Sequence, residues 1–520
     1  MPVSSKTNRA VRVTPLIVLH LLIVLPLAFF LNVWADEGST LFTTQHGFWH
    51  AFQNAAADEK QAPLYFWVMS LWRSLNDSIF FARLFSIICS VVAIRLFAGL
   101  TQRVFEPRAA LLASAFFSLH PFLIWASLEI RVYSLVILLS VLLVTLFLEA
   151  FFDEQEKSEW ARPTRWTKGQ TRILFFVAAA FSIYTNYYLG FLLVGFFAAL
   201  VLAKKWRETV VYLGTMLAVA AVFLPMALAI RSQFAANTSG FQDDRAIIDG
   251  LRHLWHHVLT FLVPSEVFPN VEISTADVIR LWAMRFAIVV TGVIAIIRRR
   301  SFSQATQFFG IVAASLFACL LFAYFALGSQ YIAIRHMSVA FVPLIVFTAS
   351  ILADVFAGGK EKMIDRIVTI AFSIVVLASF SYALVTLYPN MAKRGDWARI
   401  GAFIEQHESP GQPILVFTTF DALSLPYHYH GVNKILPDEK YFEFEWEAAF
   451  GTEGSLARQT DFVISEIPPD AEMIWLAVNE KCLITDACKP LENYVRANYT
   501  IVKEEEFYKE QLYLLKKRNQ

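Results

Sequence analysis

The sequence predicts a polytopic α-helical membrane protein of about 11 spans, each close to the 20 apolar residues a crossing needs, with a small C-terminal α/β domain outside the cytoplasm. Three observations point there. Hydrophobic residues make up 57% of the 520 and charged residues only 17%, which is more apolar than an ordinary soluble domain. Apolar runs of spanning length recur, at 13–33, 79–100, 131–152 and 335–356 among others. Beyond residue 388 the pattern changes to short runs of strand length.

The spans read from the sequence are 13–33, 79–100, 108–127, 131–152, 173–187, 188–203, 210–230, 279–297, 304–326, 335–356 and 367–387. In the hydrocarbon the backbone must satisfy its own polar groups, which favours helices. The stretch "FSIYTNYYLGF" reads either as a tight re-entry turn or as part of one long tilted helix. Basic segments on both sides of it, "DEQEKSEWARPTRWTKGQTR" and "KKWRE", favour the turn, because both belong in the cytoplasm and need an even number of crossings between them.

The same rule orients the chain. Segments 1–12, 95–108, 153–172, 204–208, 298–300 and 357–366 carry far more Lys and Arg than 34–78, 128–132, 231–278 and 327–335. The N-terminus is therefore expected in the cytoplasm of a bacterial cell, the protein in its inner membrane, and residues after about 388 in the periplasm. Residues 1–35 also admit a reading as a cleaved signal peptide, with "VWA" before Asp36 as the cleavage site. The apolar run is long for that, and ten spans still follow.

Domain boundaries fall at 1–388 for the membrane part, with outer loops 34–78 and 231–278, and at 389–520 for the periplasmic domain. In the first loop Phe48, Trp49 and Phe52 recur at helical spacing, as in a helix lying in the membrane interface. In the last domain "ARIGAFIEQH" and "ENYVRANY" read as helices, and "PILVFTTF", "EMIWLAV" and "QLYLLKK" as strands. No Gly-rich phosphate loop, repeat or low-complexity tract is present, and the net charge of +1 gives no reason to expect a nucleic-acid partner. Of the four cysteines, Cys89 and Cys319 fall in spans as packing residues. Cys482 and Cys488 lie close together in the outer domain, where a disulfide persists, and we expect them to pair; the plainer alternative is two buried thiols.

A carboxylate at the rim of a span is ordinarily a solvated helix end. The argument strengthens when polar groups gather at one level, and on this topology Asp36, Glu37, Glu129, Lys60, Arg131, Arg335 and His336 all face the outside. Glu129 and Tyr133 are four apart, which puts them on one helix face. Ionisable groups beside apolar spans are costly and mark function. Acids beside clustered cations suit displacement of a phosphate leaving group by a hydroxyl. The acid takes the proton and the cations hold the charge that builds on phosphate. In "RHLWHH", His253 and His257 have the spacing of a helical metal pair, but no Glu lies between them, and a polar helix on the membrane surface explains the stretch as well. Tyr187 and Tyr188 read first as interface anchors.

These residues resemble a known family, the integral-membrane glycosyltransferases of the GT-C fold, the group that includes protein O-mannosyltransferases and lipid A aminoarabinose transferases. The likeness rests on Trp34, Asp36 and Glu37 after the first span, Lys60 to Tyr65 ("KQAPLY"), Glu129, Arg131 and Tyr133, "YTNYY" at 184–188, Arg335, and "RGDWARIGAFI" at 394–404. It implies inverting transfer of a sugar from a polyprenyl-phosphate donor to an envelope lipid, glycan or protein. In that frame Asp36 is the base, Glu37 lines the acceptor side or a metal, and Glu129 is a further catalytic carboxylate. Lys60, Tyr65, Arg131, Tyr133, Arg335 and His336 bind substrate. His336 departs from the Tyr that usually follows the arginine. Family members differ in their use of a divalent metal cation, for which Asp36 and Glu37, or His253 and His257, are the candidate ligands. The competing class is a transporter or flippase of lipid-linked sugars, whose charges belong near the membrane midplane.

Overall fold

The computed structural model describes residues 13–57, 59, 61–152, 166–238, 247–262, 275–298, 302–327, 334–357, 363–417, 422–437, 460–479, 482 and 488–518. Along the chain run α1 (Thr14–Phe30), α2 (Ala35–Gln45), α3 (Phe48–Ala57), α4 (Leu64–Arg73), α5 (Ile79–Val104), α6 (Pro107–Ser118), α7 (Pro121–Leu128), α8 (Tyr133–Phe147), α9 (Lys168–Thr185), α10 (Leu189–Leu202) and α11 (Trp206–Thr238). They are followed by α12 (Ile247–Leu262), α13 (Thr275–Arg298), α14 (Gln304–Leu327), α15 (Ser338–Ala357), α16 (Met363–Thr386) and α17 (Trp397–His407). The tail adds β1 (Ile414–Phe417), β2 (Ile435–Leu436), β3 (Met473–Asn479), α18 (Lys489–Asn498), β4 (Tyr499–Phe507) and β5 (Glu510–Lys517).

Every span read from the sequence falls on helical residues, with 108–127 divided between two helices. Among the described residues, however, six helices are long and apolar enough to cross a membrane alone, or up to eight if two bent pairs each count as one span. The count of about 11 set by the 20-residue rule is thus not reproduced. The segment 108–127 is two helices, α6 and α7, bent by 46°, because Pro121 ends α6's register and opens α7, where the His120 ring nitrogen accepts from the Phe122 amide. α9 and α10 are separate: Asn186 is extended (φ −159°, ψ 125°) and its side chain accepts from the Tyr188 amide. This is the turn, not one long helix.

The chain forms two units, Met1–Ala28 with Gly47–Leu387, and Phe29–His46 with Tyr388–Gln520. The second thus joins the C-terminal part to Phe29–His46, the end of the first apolar run and the start of the first outer loop.

In the first unit the centre is aromatic. Phe147 of α8 lies face to face with Phe196 of α10 at 4.3 Å and with Phe308 of α14 at 5.8 Å, and meets Tyr212 of α11 edge-on. Lipid offers no hydrophobic gain for helix association, so such contacts, small residues and internal hydrogen bonds hold the helices. Gly195 brings α10 against Val312 of α14. Ser127 joins α7 to Ser90 of α5 and to the ring of His20 on α1, and Ser90 reaches Ser134 on α8. α3 exposes Phe48 and Trp49, and Phe48 and Phe52 pack on Trp67 of α4.

The second unit is a five-stranded sheet in the order β2-β1-β3-β5-β4, with the first three strands parallel and the rest antiparallel. Its central strands are buried on both faces, which is why they read as unbroken apolar runs. Leu415, Phe417, Ile474 and Leu476 pack on one side with Leu491 of α18 and the disulfide Cys482–Cys488. Ile414, Val416, Trp475 and Ala477 pack on the other with Trp397, Ile400 and Ile404 of α17. β4, an edge strand, is new relative to the sequence reading. Its "KEEEF" hid the strand, because edges are commonly charged.

Candidate active site

The candidate residues divide between the units. In the second, the chain arrives extended at Trp34 (ψ 170°) and turns into α2, putting Asp36 and Glu37 in the first helical turn, where negative charge suits the helix end. Their environments differ. Asp36 is half-buried, while Glu37 is fully buried and accepts from Lys393 Nζ at 2.9 Å, both side chains being closed off from solvent. Asn32 fixes the same stretch. Its amide donates to the carbonyls of Lys393 and Gly395 at 3.1 and 2.9 Å and accepts from the Lys393 amide at 2.7 Å. The Arg394 guanidinium lies over the Trp34 ring at 4.1 Å. His428 Nε2 accepts from the Val33 amide at 2.7 Å, so that nitrogen is unprotonated in this arrangement.

Two glycines permit these approaches. A Cβ on Gly38 would stand 2.4 Å from the Leu423 carbonyl oxygen, and Gly395 holds a left-handed φ of +135° against Glu510. Asp396 then caps α17 and pairs with Arg399 at 2.6 Å. Lys393, with Arg394 and Gly395 at the start of "RGDWARIGAFI", thus holds the first turn of α2 and the residues leading into it.

In the first unit, Arg131 is buried and donates to Glu59 Oε2 at 2.9 Å. A guanidinium in this setting needs such a partner. Lys60, next to Glu59, lies outside the described residues. The expectation that Glu129 and Tyr133 share one helix face is corrected: Glu129 is the extended C-cap of α7, and Tyr133 is the first residue of α8. The chain breaks between them, so spacing on one helix does not apply. Glu129 is buried, and its carbonyl accepts from Ser86 at 2.6 Å. Tyr133 stacks on Trp125 at 4.9 Å. Tyr65 is buried in α4, with its ring 6.2 Å from that of Phe85, the position of a packing residue. Arg335 and His336 sit half-buried in a short 3-10 turn before α15. The His336 ring lies parallel to Tyr188 at 5.3 Å, which joins two stretches that the sequence singled out separately.

On α12, His257 is buried and faces the ring of His256; the side chain of His253 lies outside the described residues. Among the described residues no three His, Cys, Asp or Glu side chains gather as a metal site. The donor set also argues against a metal on the Asp36–Glu37 pair, since Glu37 already holds an ammonium. Glu59, Asn32 and Lys393 were missed by sequence reasoning. Glu59 adjoins Lys60 in a charged "DEK", which is a signal. Lys393 follows the last span, where a basic residue looks unexceptional.

A family model described as dolichyl-phosphate-mannose-protein mannosyltransferase matches residues 60–228. No curated protein matches by sequence. Among solved structures, ArnT from Cupriavidus metallidurans bound to undecaprenyl phosphate superposes with a TM-score of 0.55 at 12% identity, over 96% of this chain and 97% of that one. Its apo form gives 0.53 at 11% identity, over 96% and 98%. The archaeal oligosaccharyltransferase AglB from Archaeoglobus fulgidus, in complex with an inhibitory peptide and a dolichol-phosphate, gives 0.48 at 13% identity, over 95% of this chain and 74% of that one. The fold is the GT-C fold of membrane glycosyltransferases, as the sequence resemblance implied.

Proposed function

We propose that the protein is an inverting glycosyltransferase that moves a sugar from a polyprenyl-phosphate donor to a hydroxyl of an envelope lipid, glycan or protein. The observation that carries this reading is the match, along nearly the whole of both chains, to ArnT bound to undecaprenyl phosphate; the family model naming a dolichyl-phosphate-mannose transferase supports it. The acceptor oxygen attacks the anomeric carbon, the bond from that carbon to the phosphate oxygen breaks, and polyprenyl phosphate leaves with the electron pair. Asp36 takes the acceptor's proton. Of the two adjacent carboxylates it is the one assigned, because Glu37 is committed to Lys393. Glu129 is the second candidate for that proton. Arg131, held by Glu59, takes the leaving phosphate together with Lys60 and Arg335, and a guanidinium does so in a two-pronged way. Tyr65 and Tyr133 are assigned to the donor side, and Tyr188 with His336 offers an aromatic face for the sugar.

The compartment follows the same reading: inner membrane, N-terminus in the cytoplasm, second unit in the periplasm. The disulfide in that unit supports an oxidising location. The test incubates purified full-length protein with labelled polyprenyl-phosphate sugars and envelope lipid extract, beside Asp36→Asn. Wild type is expected to release polyprenyl phosphate and label an acceptor, and the variant to lose roughly 100-fold or more of that rate. Movement of the labelled lipid across vesicles with its sugar–phosphate bond intact, and no acceptor labelled, would overturn the reading in favour of a carrier.

A further inference from the structure

We propose that Lys393 is a positioning residue for Asp36, and that Glu37 serves the reaction only as the ligand of that lysine. The inference rests on the proposed role of Asp36 as base. Three successive residues of one segment hold three of the other. Asn32 bonds to the backbone of Lys393 and Gly395, the Trp34 ring lies under Arg394, and Glu37 pairs with Lys393. Asp36 sits between two of these anchors, Trp34 and Glu37, at the start of α2. The stretch of backbone that carries Asp36 is therefore held on both sides by residues 393–395.

Glu37 is the member of the Asp–Glu pair that looks catalytic by adjacency. Its carboxylate is fully enclosed and bound to an ammonium that is itself enclosed. A group in that state neither trades protons with a hydroxyl nor reaches an acceptor. Its charge needs Lys393, because an unpaired charge buried there pulls the local structure apart. The rest of the contact set points the same way: Gly38 admits the Leu423 carbonyl only because it lacks a side chain, which closes α2 down on its support beside the ion pair.

The two roles for Glu37 separate in a double-mutant cycle on the full chain in detergent, reading kcat, donor KM and thermal unfolding. Lys393→Met and Glu37→Gln are each expected to lower kcat by roughly 100-fold with donor KM unchanged, and to lower the unfolding temperature. The double variant, with neither charge, is expected to recover both kcat and stability towards wild type. Lys393→Arg should retain most activity. If either single variant does not fold, Asn32→Ala, which leaves both charges in place, is expected to lower kcat with donor KM unchanged. A double variant as stable as wild type but as inactive as Glu37→Gln alone overturns the proposal, because Glu37 then takes part in the chemistry itself. Full kcat in Lys393→Met, or in Asn32→Ala, overturns it as well. If wild type transfers no sugar, the functional reading fails instead, and unfolding temperatures that add without coupling would still refute the pairing.

Discussion

Among the described residues each unit holds a buried ion pair, Arg131–Glu59 in the first and Lys393–Glu37 in the second, and the two differ in what they join. Arg131 and Glu59 are 72 residues apart and bring neighbouring loops of the helical unit together. Lys393 and Glu37 are 356 apart and join the first outer loop to the far end of the chain. Buried pairs add little net stability over apolar substitutes, yet losing one partner is expensive. What they specify is arrangement. In the first unit aromatic packing and serine bonds already define how the helices meet, and the pair presents a guanidinium. In the second unit the pair, with the Asn32, Val33 and Trp34 contacts, ties Phe29–His46 to the C-terminal segment.

The comparison breaks if the two pairs respond alike in function. Arg131→Ala and Lys393→Ala are both expected to cost about 3–5 kcal/mol, because each leaves a carboxylate uncompensated; denaturant unfolding in detergent measures this. Arg131→Ala should also raise the donor KM, whereas Lys393→Ala should lower kcat alone.

Gly38→Ala sharpens it. The new methyl meets a backbone oxygen that no side-chain rotation can move, and overpacking of this kind costs about 1–3 kcal/mol. A variant with wild-type melting and activity would mean that α2 is loosely seated.

Caps probe the two units on equal terms. Asp396→Ala on α17 and Thr167→Ala on α9, where Thr167 and Gln170 cap each other, should each cost about 1 kcal/mol. The Asp396 variant should reach activity through the anchor of α2, and the Thr167 variant should not.

The helical unit was legible because its signal is local. Apolar runs of spanning length announce themselves, whereas the sequence reading runs through the bend at Pro121 and makes 108–127 a single span. Where local reasoning failed, the cause was a break that the spacing concealed, as between Glu129 and Tyr133. In the sheet, β1 and β3 were visible as apolar runs, and β4 was hidden behind its charges. Asp36, Glu37 and Arg131 stood out because charge beside apolar spans is unusual. Their partners Glu59 and Lys393 did not, since nothing near Glu37 in the sequence says which of 44 Lys and Arg residues it meets.

The smallest effect is a pH dependence at Tyr499 in the second unit. Burial, with Tyr494 beside it, pushes the Tyr499 hydroxyl up to about 12. The unfolded chain loses that proton nearer 10, so the contribution to stability is whole below pH 10 and shrinks as pH rises towards 12. Unfolding temperatures should fall over that window, and fall less in Tyr499→Phe; equal slopes would place Tyr499 in water.

Asn32 and Lys393 lie 361 residues apart, and that separation has a cost in time. A ribosome adding roughly 5–20 residues per second reaches the second long after the first has emerged, by about 20–70 s. Through that interval the nascent segment around Asp36 has left the bilayer with its docking surface not yet made. A message cut short just before codon 393 therefore yields every span and still leaves the first loop unfinished, a substrate for quality-control proteases rather than a working enzyme.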